Sequence, residues 1–97
     1  MMYAVVVTFQ IKAGAMIGFM PAMTENAKAS LANESDCHRF DVCTDSERND
    51  EVFLYELYTD RAAFEAHLAS AHFQEFDAKA SGMIASKTIK TYDKVTA

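Results

Sequence analysis

The sequence predicts an α+β fold in which four strands and two helical segments alternate as β-α-β-β-α-β. Three observations carry it. Runs rich in β-branched and aromatic residues stand at 3–10, 37–45, 50–58 and 85–95. Apolar residues recur at helical spacing between the first and second runs, and again between the third and fourth. The chain has 97 residues, enough for one core and too few for two.

Tyr3 to Gln10 (YAVVVTFQ) reads as strand one, and Gly14 follows as a turn signal. Ala15 to Ala32 reads as a helix with Phe19, Met23, Ala27, Ser30 and Leu31 on one face. Pro21 either follows closely on its start or kinks its first turns. The polar stretch Asn33 to Asp36 ends it. Cys37 to Asp45 and Asp50 to Tyr58 read as a hairpin around a turn at 46–49. A four-residue turn sets 45 opposite 50, so paired positions sum to 95. Phe40 then meets Tyr55, Val42 meets Phe53, and Arg39 stands opposite Glu56. One hairpin face becomes strongly apolar (His38, Phe40, Val42, Phe53, Tyr55, Leu57). The other is mixed, carrying Cys37, Arg39, Asp41, Cys43, Val52, Leu54, Glu56 and Tyr58. Asp60 is an N-cap signal for a helix over Arg61 to Leu68, with Phe64, His67 and Leu68 inward. Ser70 caps another from Ala71 to Gly82, with His72, Phe73, Phe76, Ala80 and Met83 on one stripe. Ala85 to Val95 alternates as strand four. This order is the ferredoxin-like split βαβ pattern, with a four-stranded antiparallel sheet and helices on one face. Apolar residues on both hairpin faces predict that the sheet of a second copy covers the other face, giving a homodimer.

A formal net charge of −5 argues against a nucleic-acid partner, which needs a basic face. No apolar run is long enough to span a bilayer. Met1 to Gln10 has no basic n-region or cleavage site, so a cytoplasmic protein is expected. Cys37 and Cys43 stand six residues apart in one strand, roughly 20 Å at strand rise and beyond the ~7 Å limit of a disulfide. They read as reduced, mostly buried thiols. No Cys/His spacing resembles a metal site, and no cofactor is expected.

Several segments resemble the antibiotic biosynthesis monooxygenase (ABM) family: RFDVCTD at 39–45, EVFLYELYTDRAAFEAHLAS at 51–70 and AHF at 71–73. The likeness covers nearly the whole chain. It departs in two places: Glu34-Ser35-Asp36-Cys37 stands where the family often has E-P-G-C, and Ser70-Ala71-His72-Phe73 where it often has S-P-H-F. The resemblance implies a dimeric α+β barrel with a small pocket between sheet and helices. It also implies, for some members, oxygenation of quinols or polyketide-derived phenols without metal or flavin. Other relatives isomerise a phosphorylated dione in autoinducer-2 breakdown, and others degrade haem. The haem branch uses a Trp, and this chain has none.

The candidate catalytic residues are His72, Asn26 and Glu56. His72 is a titratable group at a helix start, within the family-like Ser-x-His-Phe segment. Asn26 would polarise a substrate oxygen, or else face solvent. Glu56 would border the pocket, or else pair with Arg39. Arg39, Phe40, Tyr55, Tyr58, Phe64, His67 and Phe73 are the candidate substrate-binding residues. Aromatics at these spacings suit a core as readily as a pocket for a flat substrate. An isomerase would need a cationic phosphate clamp, for which Arg39 and Lys28 are the candidates. A dimer that binds a small molecule without chemistry is the third class, since fold alone does not fix function.

Overall fold

The computed structural model describes residues 2–96. Its elements run β1 (Tyr3–Ile11), α1 (Met16–Asn33), β2 (Cys37–Asp45), β3 (Arg48–Tyr58), α2 (Arg61–Leu68), α3 (Ala71–Ala80) and β4 (Ile84–Tyr92). One 3₁₀ turn, Ser81–Met83, joins α3 to β4. The strands form one antiparallel sheet in the order β2-β3-β1-β4. The ferredoxin-like arrangement is therefore the fold.

Local chemistry sets the element ends. Gly14 takes a positive φ of 79° between β1 and α1, a conformation costly for any other residue. Pro21 lies inside α1 on its exposed side, where the lost backbone bond faces solvent. Asp60 caps α2 by accepting from the Ala63 N–H at 2.8 Å, and Ser70 caps α3 by accepting from the Phe73 N–H at 3.2 Å.

The core lies between the helices and one face of the sheet. Val5, Val7 and Phe9 of β1 and Val52 and Leu54 of β3 meet Phe19, Met23 and Ala27 of α1 and Phe76 of α3. Phe19 packs edge-on against Phe9 and Phe76, with ring centroids 5.3 Å and 5.9 Å away. Leu31, expected on the inward stripe, is exposed, and Asn26 is buried in its place. Leu68 is likewise exposed.

The hairpin departs from its expected register. The turn is two residues shorter than expected, since Asp45 pairs with Arg48. An irregularity between Cys43 and Asp45 then carries the ladder to a sum of 96 from Cys43 to Arg39, which opposes Leu57, and a second shift beyond Arg39 returns Cys37 to Tyr58, the sum-to-95 pairing. His38 is the extra residue of this bulge, and its ring bonds the Thr59 hydroxyl at 2.7 Å. Phe40 therefore stands opposite Glu56, and Arg39 does not. Phe40 and Glu56 are buried on the helix side, and Arg39 points to the other face. There its Nε donates to Asp41 at 2.7 Å and its guanidinium lies 5.6 Å from the centre of the Tyr55 ring. The β3 grouping holds, with Val52, Leu54, Glu56 and Tyr58 toward the helices and Phe53, Tyr55 and Leu57 away, but Phe40 and Val42 of β2 change sides to join the helix-facing set, and Arg39, Asp41 and Cys43 join the other. Cys37 is buried, as expected, while Cys43 is exposed, contrary to the expectation that both thiols are buried.

Candidate functional site

α1 places Asn26 on its buried stripe, one turn beyond Met23, and β3 places Glu56 on the inner face of the sheet. Both line a cavity of about 80 Å³ between sheet and helices. Phe40, Phe64, Phe73 and Phe76 supply much of its apolar wall. β4 lies at the sheet edge, and Lys87 and Ile89 form the side of the cavity left open there.

Burial drives the chemistry of this cavity. Glu56 is only 3% exposed. Its carboxyl is pushed up to about 7, chiefly by loss of water and further by the negative charge of Glu34, against the opposing effect of the Tyr58 hydroxyl. That hydroxyl donates to Glu56 Oε1 at 2.5 Å, and burial beside the carboxylate raises the phenol's own proton affinity. Asn26 is 3% exposed, and among the described residues its Oδ1 has no hydrogen-bond partner. A buried orphan acceptor costs about 1–3 kcal/mol, and it marks a position where a ligand hydroxyl can donate.

His67 and His72 make a second constellation with a residue the sequence did not single out, Glu34. Glu34 follows the last residue of α1. The His67 Nδ1–H donates to Glu34 Oε2 at 2.8 Å, and His72 Nε2 bonds the same oxygen. Ser30 Oγ lies 3.4 Å from the same His67 nitrogen and donates to the Asn26 carbonyl at 2.8 Å. The His67 ring is sandwiched among Phe73, Tyr58, Phe40 and Phe64 at 5.3, 5.5, 5.9 and 6.3 Å between centroids. Burial lowers its proton affinity, partly opposed by Glu34. Cys37, nearby, is pushed up to about 11 by burial and by Glu34 and Glu56, so it stays a thiol at neutral pH.

The structure thus brings Asn26, Glu56, Phe40, Phe64 and Phe73 to one cavity, with Tyr58 bonded to Glu56. His72 lines a much smaller neighbouring cavity of about 40 Å³ that shares Asn26 as a wall. Arg39 and Tyr55 stand on the opposite face of the sheet. Asn26, a candidate from the sequence, is buried rather than solvent-facing, as its spacing of seven residues beyond Phe19 and three beyond Met23 allows.

A four-stranded antiparallel sheet with paired helices over an apolar cavity defines a ferredoxin-like α+β protein. Residues 2–79 match the family model described as antibiotic biosynthesis monooxygenase, and the chain belongs to that family. Solved structures share the fold. A Nitrosomonas europaea protein, named provisionally as such a monooxygenase, superposes with TM-score 0.91 at 24% identity, over 97% of this chain and 90% of its own. A Caulobacter crescentus protein with the same provisional name gives 0.91 at 22% identity, over 98% and 91% of the two chains. A Mycobacterium tuberculosis protein gives 0.89 at 17% identity, over 100% and 98%. No curated protein matches the chain. Among the described residues no helix is long and apolar enough to cross a membrane.

Proposed function

We propose that the chain is a monooxygenase that oxidises a single-ring phenol or quinol with molecular oxygen, with Glu56 as the base. The observation that carries this reading is the pairing, in one apolar cavity, of a carboxyl poised near neutrality with an unpartnered amide oxygen. The cavity's volume holds about three water molecules, so a substrate of at most one ring fits, with part of it reaching the open side at Lys87 and Ile89. The family match supports the reaction class.

In this mechanism the ionised Glu56 takes the phenolic proton, and the Asn26 Oδ1 accepts from a further hydroxyl of the substrate and so orients the ring. The phenolate ring passes electron density to oxygen and forms a carbon–oxygen bond at a hydrogen-bearing ring carbon, para in a simple phenol and ortho in a quinol. Glu56 returns the proton to the peroxy group. Loss of water, which takes the hydrogen of that carbon, leaves a quinone. One oxygen atom enters the ring, the other leaves as water, and no outside reductant is consumed. An oxygen electrode with a panel of phenols and hydroquinones tests the reading. The expected result is uptake of one O₂ per phenol, with one atom of ¹⁸O₂ in the quinone. No enzyme-dependent uptake across the panel would exclude it.

One observation favours a second reading, isomerisation of a small phosphorylated dione. Lys87 lines the open side of the cavity, where a phosphate could be held, whereas Arg39 lies across the sheet. Conversion of such a dione without oxygen consumption is the discriminating result.

Asn26→Leu separates binding from folding. It removes the orphan acceptor while keeping the branched shape, with the adjoining cavity taking up the larger methyls, so it raises stability by about 1 kcal/mol, or about 4–8 °C in Tm. It also weakens substrate binding, seen as a higher KM. An unchanged KM would place the substrate elsewhere.

The functional unit we propose is a homodimer joined through the outer sheet face, which presents Val6, Phe53, Tyr55 and Leu57. Analytical ultracentrifugation at micromolar concentration should give twice the 10.8 kDa chain mass. A monomer would refute this arrangement.

A further inference from the structure

We propose that Glu34, His67 and His72 form a binding site for a divalent transition-metal ion of the zinc class. The three residues come from three elements: the end of α1, the last turn of α2 and the first turn of α3. Their donor atoms, Glu34 Oε2, His67 Nδ1 and His72 Nε2, all lie within 4.8 Å of one another. Both imidazoles converge on the same carboxylate oxygen, so the three donors surround a single point.

The geometry needs little change to accept an ion. Bonds of about 2.0–2.2 Å in a tetrahedral site set donor–donor edges near 3.4 Å, so the two contacts to Glu34 lengthen by about 1 Å or less while the imidazole nitrogens, within 4.8 Å, draw together by up to about 1.4 Å. The scaffold is already fixed. Ser70 accepts from the Phe73 N–H and donates to the His67 carbonyl at 2.6 Å, locking the corner between α2 and α3 that sets the two rings. His67 is itself held among four aromatic rings, which limits its rotation. Glu34 and His72 keep 16% and 17% of their side chains exposed, which gives an ion an entry path and a fourth position for water.

The donor chemistry selects the cation. Two neutral imidazoles and one carboxylate suit Zn²⁺, Co²⁺ or Ni²⁺ far better than Mg²⁺ or Ca²⁺, which favour all-oxygen shells. The bound ion would tie the end of α1 to the α2–α3 corner. That corner also carries Phe64 and Phe73, walls of the cavity, so the ion would stiffen the pocket from outside it. Glu56 and Asn26 are not among its ligands, and the proposal stands apart from the oxygenase reading.

The test uses the full chain after chelator treatment. Co²⁺ titration should give one equivalent of micromolar or tighter binding, with the visible absorption of a low-coordinate cobalt centre, and Zn²⁺ should displace it. Zn²⁺ should raise Tm by several degrees, and Mg²⁺ should not. Loss of an outer-shell partner commonly costs 10–100-fold in metal affinity, so loss of a ligand in Glu34→Gln or His72→Asn should cost at least about 100-fold. Both substitutions fall at partly exposed positions, and circular dichroism checks that the variants fold. Cys43→Ser should bind as the parent does. Absence of binding at micromolar Co²⁺ and Zn²⁺ would overturn the proposal and leave the trio as a hydrogen-bonded brace. Binding that survives both ligand substitutions would overturn it as well, as would variants that do not fold together with a parent showing no cobalt absorption.

Discussion

Glu56→Gln removes turnover and makes the protein more stable above neutral pH. The two effects have one cause. The buried carboxyl binds its proton up to about pH 7, whereas its ordinary value is 4.5. Between those limits the folded chain holds a proton that the unfolded chain has released, so stability falls as pH rises through this window. The total is about 3 kcal/mol, fully lost above pH 7 and absent below pH 4.5. Gln carries no charge and can still accept from the Tyr58 hydroxyl. Urea unfolding should therefore show the variant up to about 3 kcal/mol more stable than the parent near pH 8 and equal to it near pH 4. Turnover of a true substrate should fall by about 10²–10⁴, as for loss of a general base. In the parent, kcat/KM should rise with pH and level off above about 7. A parent and variant with the same pH dependence of stability would show that Glu56 is not held protonated. A fully active variant would remove it from the chemistry.

Phe19→Ala is the largest stability change expected in the chain. Phe19 has no exposed surface and bridges the sheet and α3 through Phe9 and Phe76. Truncation leaves a cavity between two rings that cannot close over it, at about 3–5 kcal/mol. For a domain of this size that lowers Tm by roughly 15–30 °C. Phe76 also lines the cavity, so binding should weaken before unfolding begins. Differential scanning calorimetry with and without substrate measures both. A drop of only a few degrees would mean that the core repacks around the gap.

The elements were legible because each rests on local chemistry. The Asp60 and Ser70 caps, the break at Gly14 and the alternation of β1 act over a few residues, and all are realised. The inward stripe of α1 was legible in Phe19, Met23, Ala27 and Ser30. Reading it by hydropathy alone missed Asn26 and kept Leu31, because the period selects positions while hydropathy selects residue types. The convergence of Glu34 with His67 and His72 was not legible, since separations of 33 and 38 residues close only through the packing of three helix ends. The hairpin register failed for a similar reason: turn length fixes it only if the ladder stays unbroken.

That break bears on the proton affinity of the cavity. Had His38 kept the step set by Cys37 and Tyr58, the next inward position of β2 would have brought a guanidinium beside Glu56, the pairing that regular counting gives. A neighbouring cation holds a carboxylate ionised, so the group would have titrated several units lower. The extra residue puts Phe40 there and sends Arg39 to Asp41. One inserted backbone unit thus works as electrostatic insulation: it turns what would be a permanent counter-ion pair into a carboxyl that exchanges its proton near neutrality.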